Sequence, residues 1–279
     1  MDNNKAIAIK YDKAFHIVEA NELIRSKQDD LTVLEAKLVR LAIAQVLQID
    51  TDLKTYSCSI TELADFLKMD RHNIYREMDT LTTNLLRKVI YIRKKTPGKN
   101  GKPAFKKFHW VDSAEYADGI LMLKLSDDLK PYLLGLNEFF SSYEYAVPYY
   151  LPNNNSMRLF ELLWSFVNIT YKDRGQYKTP VYLNIPLEKN EFAFSIDYLR
   201  ELLNCEDKYP NTGDFIKRII DPCIKAIKEN TTLSVSYRKV KHGRAIGFLV
   251  FRLNDPRDYD PSLERKLIAE LEEERRAAE

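Results

Sequence analysis

The chain has 279 residues, of which 45% are hydrophobic and 30% charged, and its formal net charge is +2. This composition excludes wholesale disorder, and the length is sufficient for two domains. The three cysteines are odd in number and far apart, so we expect no disulfide framework and a cytoplasmic location. The first residues lack a signal-peptide pattern, and no apolar run is long enough to span a bilayer, so we expect no membrane association.

The first half of the chain predicts a helix-turn-helix. In TVLEAKLVRLAIAQVL, Thr32 and Glu35 form a capping box ahead of a helical apolar pattern. A short strand leads to a second box, Ser59 with Glu62, which begins the helix ITELADFLK. After a brief turn, RHNIYREMDTLTTNLLRK combines a buried stripe with a polar face, as a DNA-reading helix does. The candidates for DNA contact on that face are Arg71, His72, Tyr75 and Arg76.

A strongly basic hairpin is predicted to follow this helix. VIYIRKK and FKKFHWV have the pattern of two strands around the loop TPGKNGKPA, and a third strand, ILMLKLS, comes later. Between Arg87 and Lys107 the sequence has nine Lys or Arg residues and no Asp or Glu. We interpret the hairpin as the wing of a winged helix. We expect Arg93, Lys94 and Lys95 to contact DNA phosphates there.

The chain is predicted to divide at residues 137–153, whose proline and asparagine content is typical of a linker. An N-terminal winged-helix domain would then occupy residues 1–136, and a C-terminal one residues 154–254. Residues 255–279 form a charged tail with a single leucine stripe. Such a tail is either a solvated helix or a helix that binds a partner.

The second half repeats the pattern of the first. SIDYLRELL matches SITELADFL at one constant offset, for example Ser195 with Ser59, which indicates two copies of one unit. The next helix contains Pro222, which should kink or divide it. LSVSY and AIGFLVFRL then predict a hairpin around His242–Gly243. The predicted fold class is α+β, with two tandem winged helix-turn-helix domains related as a pseudo-repeat.

Basic and polar residues concentrate on the parts of the second unit that would face DNA. A solvated surface position is the ordinary explanation for a single lysine, but clustering on a helix-turn-helix weakens it. Residues at the start of the recognition helix reach base edges, whereas wing residues hold phosphates. The candidates are Lys208, Tyr209, Asn211, Thr212, Lys217 and Arg218 at the turn and helix, and Arg238, Lys241 and Arg244 on the hairpin.

Motifs for catalysis are missing from the sequence. The Gly-Lys pairs are followed by Asn100 and Pro103, not by Ser or Thr, so there is no phosphate-binding loop. The four histidines lie far apart, which disfavours a nicking enzyme with a paired-histidine metal site, and no Cys or His pair has zinc-finger spacing. We therefore expect no enzymatic activity, no cofactor and no metal.

Three segments resemble a known family: NELIRSKQDDLTVLEAKLVRLAI, SMRLFELLW and GDFIKRIIDPCIKAIKENTTLSVSYRKVKHGRAIGFLVFRL. Through them the chain resembles the replication initiators of theta-replicating plasmids, the Rep proteins with two winged-helix domains. The resemblance extends to about Leu253. The tail falls outside it.

The resemblance implies a bacterial protein that binds repeated origin sequences in double-stranded DNA, called iterons, as a monomer. It implies opening of an AT-rich stretch, recruitment of the host replication initiator and helicase, and repression of its own gene as a homodimer. It assigns most base reading to the second winged helix. The first would add contacts through Arg71, Tyr75 and Arg76, and much of the dimer interface. A dedicated transcriptional repressor with the same fold is the alternative.

Overall fold

The computed structural model describes residues 6–94, 96, 99–167, 185–188, 190–254, 269, 270 and 273. The candidate Lys95 and most of the predicted tail lie outside these residues. The chain divides into two compact units, Met1–Tyr150 and Leu151–Glu279. Each unit combines helices with β-sheet.

The elements follow in chain order. The first unit consists of β1 (Ile7–Ala8), β2 (His16–Ala20), α1 (Asn21–Ile24), β3 (Lys27–Gln28), α2 (Val33–Ile43), β4 (Thr55–Ser59), α3 (Ile60–Leu67), α4 (Arg71–Arg87), β5 (Val89–Arg93), β6 (Phe105–His109), β7 (Val111–Ala117), β8 (Ile120–Leu125), α5 (Lys130–Leu133), β9 (Phe140–Glu144) and α6 (Ala146–Tyr150). The second consists of α7 (Asn154–Val167), β10 (Glu191–Ser195), α8 (Ile196–Leu202), α9 (Thr212–Phe215), a π-helical turn (Ile216–Ile220), α10 (Asp221–Asn230), β11 (Ser234–His242) and β12 (Ala245–Asn254).

Capping positions the helices of the first helix-turn-helix. Thr32 Oγ1 accepts from Glu35 N at 3.2 Å, and Thr32 N donates to the Glu35 carboxylate at 2.9 Å, which confirms the first capping box. Ser59 Oγ accepts from Glu62 N at 3.4 Å and begins α3. The Asp70 side chain caps α4. The helices α2, α3 and α4 therefore begin where the sequence predicts.

Strand pairing overturns the predicted wing of the first unit. The main sheet has the order β1-β4-β8-β7, and α4 packs against β7. The wing is therefore the β7–β8 hairpin, which turns at Asp118–Gly119. The basic β5–β6 hairpin pairs with β3 in a separate three-stranded sheet. The prediction was wrong because strand patterning shows that a hairpin forms and does not show which sheet it joins.

The segment predicted as a linker begins with structure that belongs to the first unit. β9 pairs antiparallel with β2, with Glu144 opposite His16. Tyr145 is fully buried, and its hydroxyl donates to the Lys37 carbonyl oxygen at 3.1 Å. The compact units divide only after Tyr150. Local composition did not reveal this, because the pairing joins residues distant in the chain.

Pro222 is accommodated by the π-helical turn of the second unit. This turn, Ile216–Ile220, lies directly ahead of α10, whose first residues are Asp and Pro. Wider i→i+5 bonding suits a position at which proline supplies no N–H and would crowd the preceding turn. Phe215, Ile216 and Ile220 are buried along this segment, whereas Ile219 is half-buried.

Candidate nucleic-acid interface

A buried arginine shapes the turn ahead of the second recognition helix. Arg200 on α8 is 8% exposed. Its guanidinium donates to the carbonyl oxygens of Cys205 at 3.2 Å, Lys208 at 2.6 Å and Tyr209 at 2.6 Å. Its central carbon lies 4.6 Å from the centroid of the Phe215 ring at the start of the recognition helix. One planar donor thus fixes three carbonyls of the turn and the helix that follows.

Arg200 is not among the functional residues predicted from the sequence, although the repeat contains a signal for it. At the offset that matches Ser195 with Ser59, Arg200 corresponds to Ala64, which is fully buried. A charged residue at the position of a core alanine is a buried polar group that requires several partners. The turn between the two helices supplies them.

Two predicted DNA contacts have structural roles in this turn. Asn211 is the N-cap of α9, and its Oδ1 accepts from Gly213 N at 2.7 Å and Asp214 N at 3.4 Å. Tyr209 has φ +53°, and its carbonyl oxygen accepts a hydrogen bond from Arg200 Nη2. A bidentate contact from Asn211 to adenine would break the cap, because the same oxygen serves both.

The π-helical turn presents two adjacent cations. Lys217 and Arg218 are exposed, whereas Ile216 and Ile220 of the same turn are buried. Lys208, in the preceding turn, is also exposed, and Thr212 begins the helix half-buried. The hydrophobic side of the helix thus fixes which side carries the charges.

The wing of the second unit turns one residue later than predicted. His242 pairs with Ala245, so the turn residues are Gly243 and Arg244. Gly243 has φ +65° and Arg244 has no positive φ, a combination that a type II′ turn uses. Arg244 is therefore at the exposed tip, with Lys241 exposed on the strand beside it.

An open groove of about 470 Å³ lies between the recognition helix and this wing. Its lining includes Arg200 and Thr212 from the helical side, and His242 and Phe248 from the hairpin. The start of the helix and the wing therefore border one concave surface. In a winged helix both of these elements can approach DNA together.

Gly247 is needed for the shape of the wing. Gly247 is the unpaired residue of a bulge on β12, because Val240 pairs with Phe248 and Lys241 pairs with Ile246. A Cβ added to Gly247 would lie 2.6 Å from the His242 Cβ. We expect Gly247→Ala to lower the free energy of unfolding by about 1–3 kcal/mol, because the strand backbone must shift. Urea denaturation measures this. Ser236→Ala, at an exposed position on β11, is the control; an unchanged midpoint for Gly247→Ala would contradict the prediction.

Arg238, predicted to bind DNA, lies in an ion-pair cluster on the second sheet. Its Nη2 contacts Glu191 Oε2 at 3.1 Å and donates to the Pro186 carbonyl oxygen at 2.7 Å. Arg252 Nη2 contacts Glu191 Oε1 at 3.1 Å. Glu191 is 4% exposed. The Glu191 pKa is lowered to about 2, chiefly because Arg238 donates hydrogen bonds to its carboxylate. The Glu188 backbone N–H and the Arg252 guanidinium donate further bonds that lower it in the same direction.

This cluster makes stability depend on pH. The Glu191 pKa falls from 4.5 to about 2 on folding, so its stabilisation is complete above the unfolded value and is lost as pH falls through the folded value. We expect Glu191→Gln to lower the free energy of unfolding by about 1–3 kcal/mol near neutral pH. This gap between wild type and variant should close in acid, where the wild-type carboxylate becomes protonated. Urea titrations across pH measure this. Glu188→Gln, at a side chain 72% exposed, is the control. A gap that stays constant with pH would contradict the assignment.

The recognition helix of the first unit carries cations that already have partners. Arg71 donates to Asp65, with Nε–Oδ1 at 3.0 Å and Nη2–Oδ2 at 2.6 Å. Arg76 donates to Asn73 Oδ1 at 2.9 Å, and His72 is exposed beside them. Because a phosphate would compete with Asp65 for Arg71, this face attracts DNA less strongly than its sequence suggests.

The wing of the first unit is acidic. Asp112, Glu115 and Asp118 are exposed along β7 and its turn. Tyr75 packs beside this turn, since its hydroxyl oxygen lies 3.3 Å from where a Gly119 Cβ would be. A row of carboxylates repels phosphates, so the basic surface of this unit lies elsewhere. Arg93 and Lys94 are exposed at the end of β5, in the β3-β5-β6 sheet.

Across the described ranges, no group of three or more His, Cys, Asp or Glu side chains is placed to hold a metal ion. Cys58, Cys205 and Cys223 are buried free thiols. Burial raises the pKa of Cys58 and of Cys223 to about 12, which keeps both unreactive. None of the helices that the structure describes is long and apolar enough to cross a membrane.

Comparison with known proteins identifies the family. The sequence model described as Initiator Replication protein, WH1, matches residues 16–164, and Initiator Rep protein, WH2, matches residues 195–253. A replication initiation protein of Escherichia coli is 26% identical over 260 residues, covering 92% of this chain and 73% of that protein. The crystal structure of Pi initiator protein in complex with iteron DNA superposes with a TM-score of 0.60 at 19% identity, over 88% of this chain and 100% of the other. The predicted α+β fold of two winged helices is confirmed, and the chain belongs to the Rep family of replication initiators.

Proposed function

We propose that this replication initiator binds iterons, the direct repeats of a plasmid origin, mainly through its second unit. The observation that carries the proposal is the exposed pair Lys217 and Arg218 on a helix whose start borders one groove with the wing. A protein of the same fold has been solved with iteron DNA, which supports this assignment.

The predicted contacts of the second unit have different roles in the proposal. Arg218 reads a base edge in the major groove, and Lys217 and Lys208 flank it. Lys241 and Arg244 hold phosphates from the wing and set the register. Asn211 and Arg238 keep their structural bonds and support the surface without touching DNA.

The first unit contributes fewer contacts. His72 and Arg76 approach the phosphates of a neighbouring turn of the same duplex, while Arg71 stays paired with Asp65. Two reading units on one chain suit an asymmetric repeat bound by a monomer. In the same proposal the protein acts in the bacterial cytoplasm without catalysing a reaction. It opens AT-rich DNA, recruits the host initiator and helicase, and represses its own gene as a homodimer.

Footprinting with purified protein on the cognate origin tests the proposal. We expect protection of direct repeats that begin about two helical turns apart. Protection confined to an inverted repeat at the promoter of the gene would favour the dedicated repressor. Sedimentation of the complex on a single repeat would show whether one chain is sufficient.

A further inference from the structure

The β3-β5-β6 sheet has one face that packs inward and one that faces solvent. Ile90, Ile92 and Phe108 are buried on the inner face. Lys106 lies on the same side as these residues and forms an ion pair with Asp128 at 2.8 Å. Since side chains alternate along a strand, the neighbouring positions of β5 and β6 project from the opposite face. That outer face takes no part in the winged-helix sheet.

Two aromatic rings lie together on the outer face. Tyr91 is opposite Lys107, and Arg93 is opposite Phe105, so all four share one face. The rings of Tyr91 and Phe105 stack with centroids 4.9 Å apart and an angle of 29°. Phe105 is nevertheless 50% exposed. A phenyl ring left in water on a sheet surface is a ready stacking partner for another planar group.

Cations surround the two rings. Lys107 Nζ lies 5.5 Å from the centroids of both Tyr91 and Phe105, and the Arg93 guanidinium carbon lies 5.8 Å from that of Tyr91. Lys94 is exposed at the end of the strand. No Asp or Glu occurs between Arg87 and Lys107. The face therefore attracts a flexible polyanion, and like charges disfavour a second copy of the same face.

We propose that this outer face of the β3-β5-β6 sheet, here named the aromatic platform, binds single-stranded DNA. Bases stack on Phe105 and Tyr91, while phosphates pair with Arg93, Lys94 and Lys107. Only a single strand exposes base faces to such rings, because a duplex hides them between base pairs. The platform is thus distinct from the duplex-reading surface of the second unit, and its ligand is present wherever an origin has been opened.

Fluorescence anisotropy tests the platform with two probes of equal charge. The first is an oligothymidine of about 15 nucleotides, and the second is an abasic strand of the same length. We expect the wild-type protein to prefer oligothymidine, and Phe105→Ala to weaken that binding by about tenfold, in line with one lost base–aromatic stack. Binding of the abasic strand should change little. Tyr116→Ala removes an aromatic residue that is 40% exposed on β7 and serves as the matched control.

Other measurements separate the alternatives. Phe105→Leu keeps an apolar side chain without the ring and should also lose affinity for oligothymidine. Equal wild-type binding of both strands would reduce the platform to charge alone and overturn the proposal. If Phe105→Ala lost affinity equally for single strands and for iteron duplex, the aromatic platform would be part of the duplex-binding site, and the proposal would be overturned. A change of oligomeric state in Phe105→Ala would indicate a contact between copies. The proposed binding of iterons is tested separately through Arg218→Ala, so its outcome does not depend on the outcome for the aromatic platform.

Discussion

Replacing Arg200 with alanine is expected to destabilise the second unit and to abolish sequence-specific DNA binding. The substitution leaves the carbonyls of Cys205, Lys208 and Tyr209 without their shared donor, and it removes the cation stacked on Phe215. Losing charge-assisted bonds at a buried site costs about 3 kcal/mol or more of the free energy of unfolding. Urea denaturation of the full chain measures this loss.

Binding distinguishes a role in the turn from a general loss of stability. At a temperature where Arg200→Ala remains folded, we expect its affinity for iteron duplex to approach that for random duplex, because the turn no longer fixes the recognition helix. Arg200→Lys keeps the charge but not the planar fork, and should fall between wild type and Arg200→Ala. A wild-type midpoint together with wild-type specificity would contradict the role given to Arg200.

Arg218→Ala is expected to lower affinity for iteron duplex by about 1–3 kcal/mol, with little effect on random duplex. Arg218 is exposed, so its loss should leave the unfolding midpoint unchanged. A base contact contributes to specificity, whereas a phosphate contact contributes to affinity for any sequence. Titrations on both duplexes at two salt concentrations measure the difference.

The same recognition helix provides a matched control for Arg218. Lys225 is exposed on α10 and contacts Glu229 at 3.8 Å, beyond the π-helical turn that carries Arg218. Lys225→Ala should bind both duplexes nearly as well as wild type does. If Arg218→Ala weakened binding to specific and random DNA equally, Arg218 would be a phosphate contact, and the assignment of base reading would be wrong.

Local signals in the sequence predicted the helical part of both units well. Thr32 and Ser59 cap the helices that they were expected to cap, and apolar spacing placed the buried face of α4. Capping and periodicity act over one or two helical turns, so they can be identified in a single sequence. The π-helical turn was not predicted, because the proline rule indicates an interruption without giving its geometry.

Strand pairing and ion pairs between residues distant in the chain could not be predicted from the sequence. The basic β5–β6 hairpin and the wing β7–β8 each consist of two short antiparallel strands, and pairing with β3 or with β4 decides which of them joins the winged-helix sheet. Arg238 was expected to bind DNA because it lies in a basic strand, but its partner Glu191 is 47 residues earlier in the chain. Residue type predicts charge, whereas exposure and partners decide whether that charge is available to DNA.

Origin-dependent plasmid establishment is the most direct test of the central claim, that the second unit's recognition helix directs replication initiation at iterons. A plasmid that carries the origin but not the gene would be introduced into cells that supply the protein from elsewhere. Wild-type protein and Lys225→Ala should establish the plasmid, whereas Arg218→Ala, folded and present at equal amounts, should not. Establishment by Arg218→Ala as efficient as by wild type would contradict the claim.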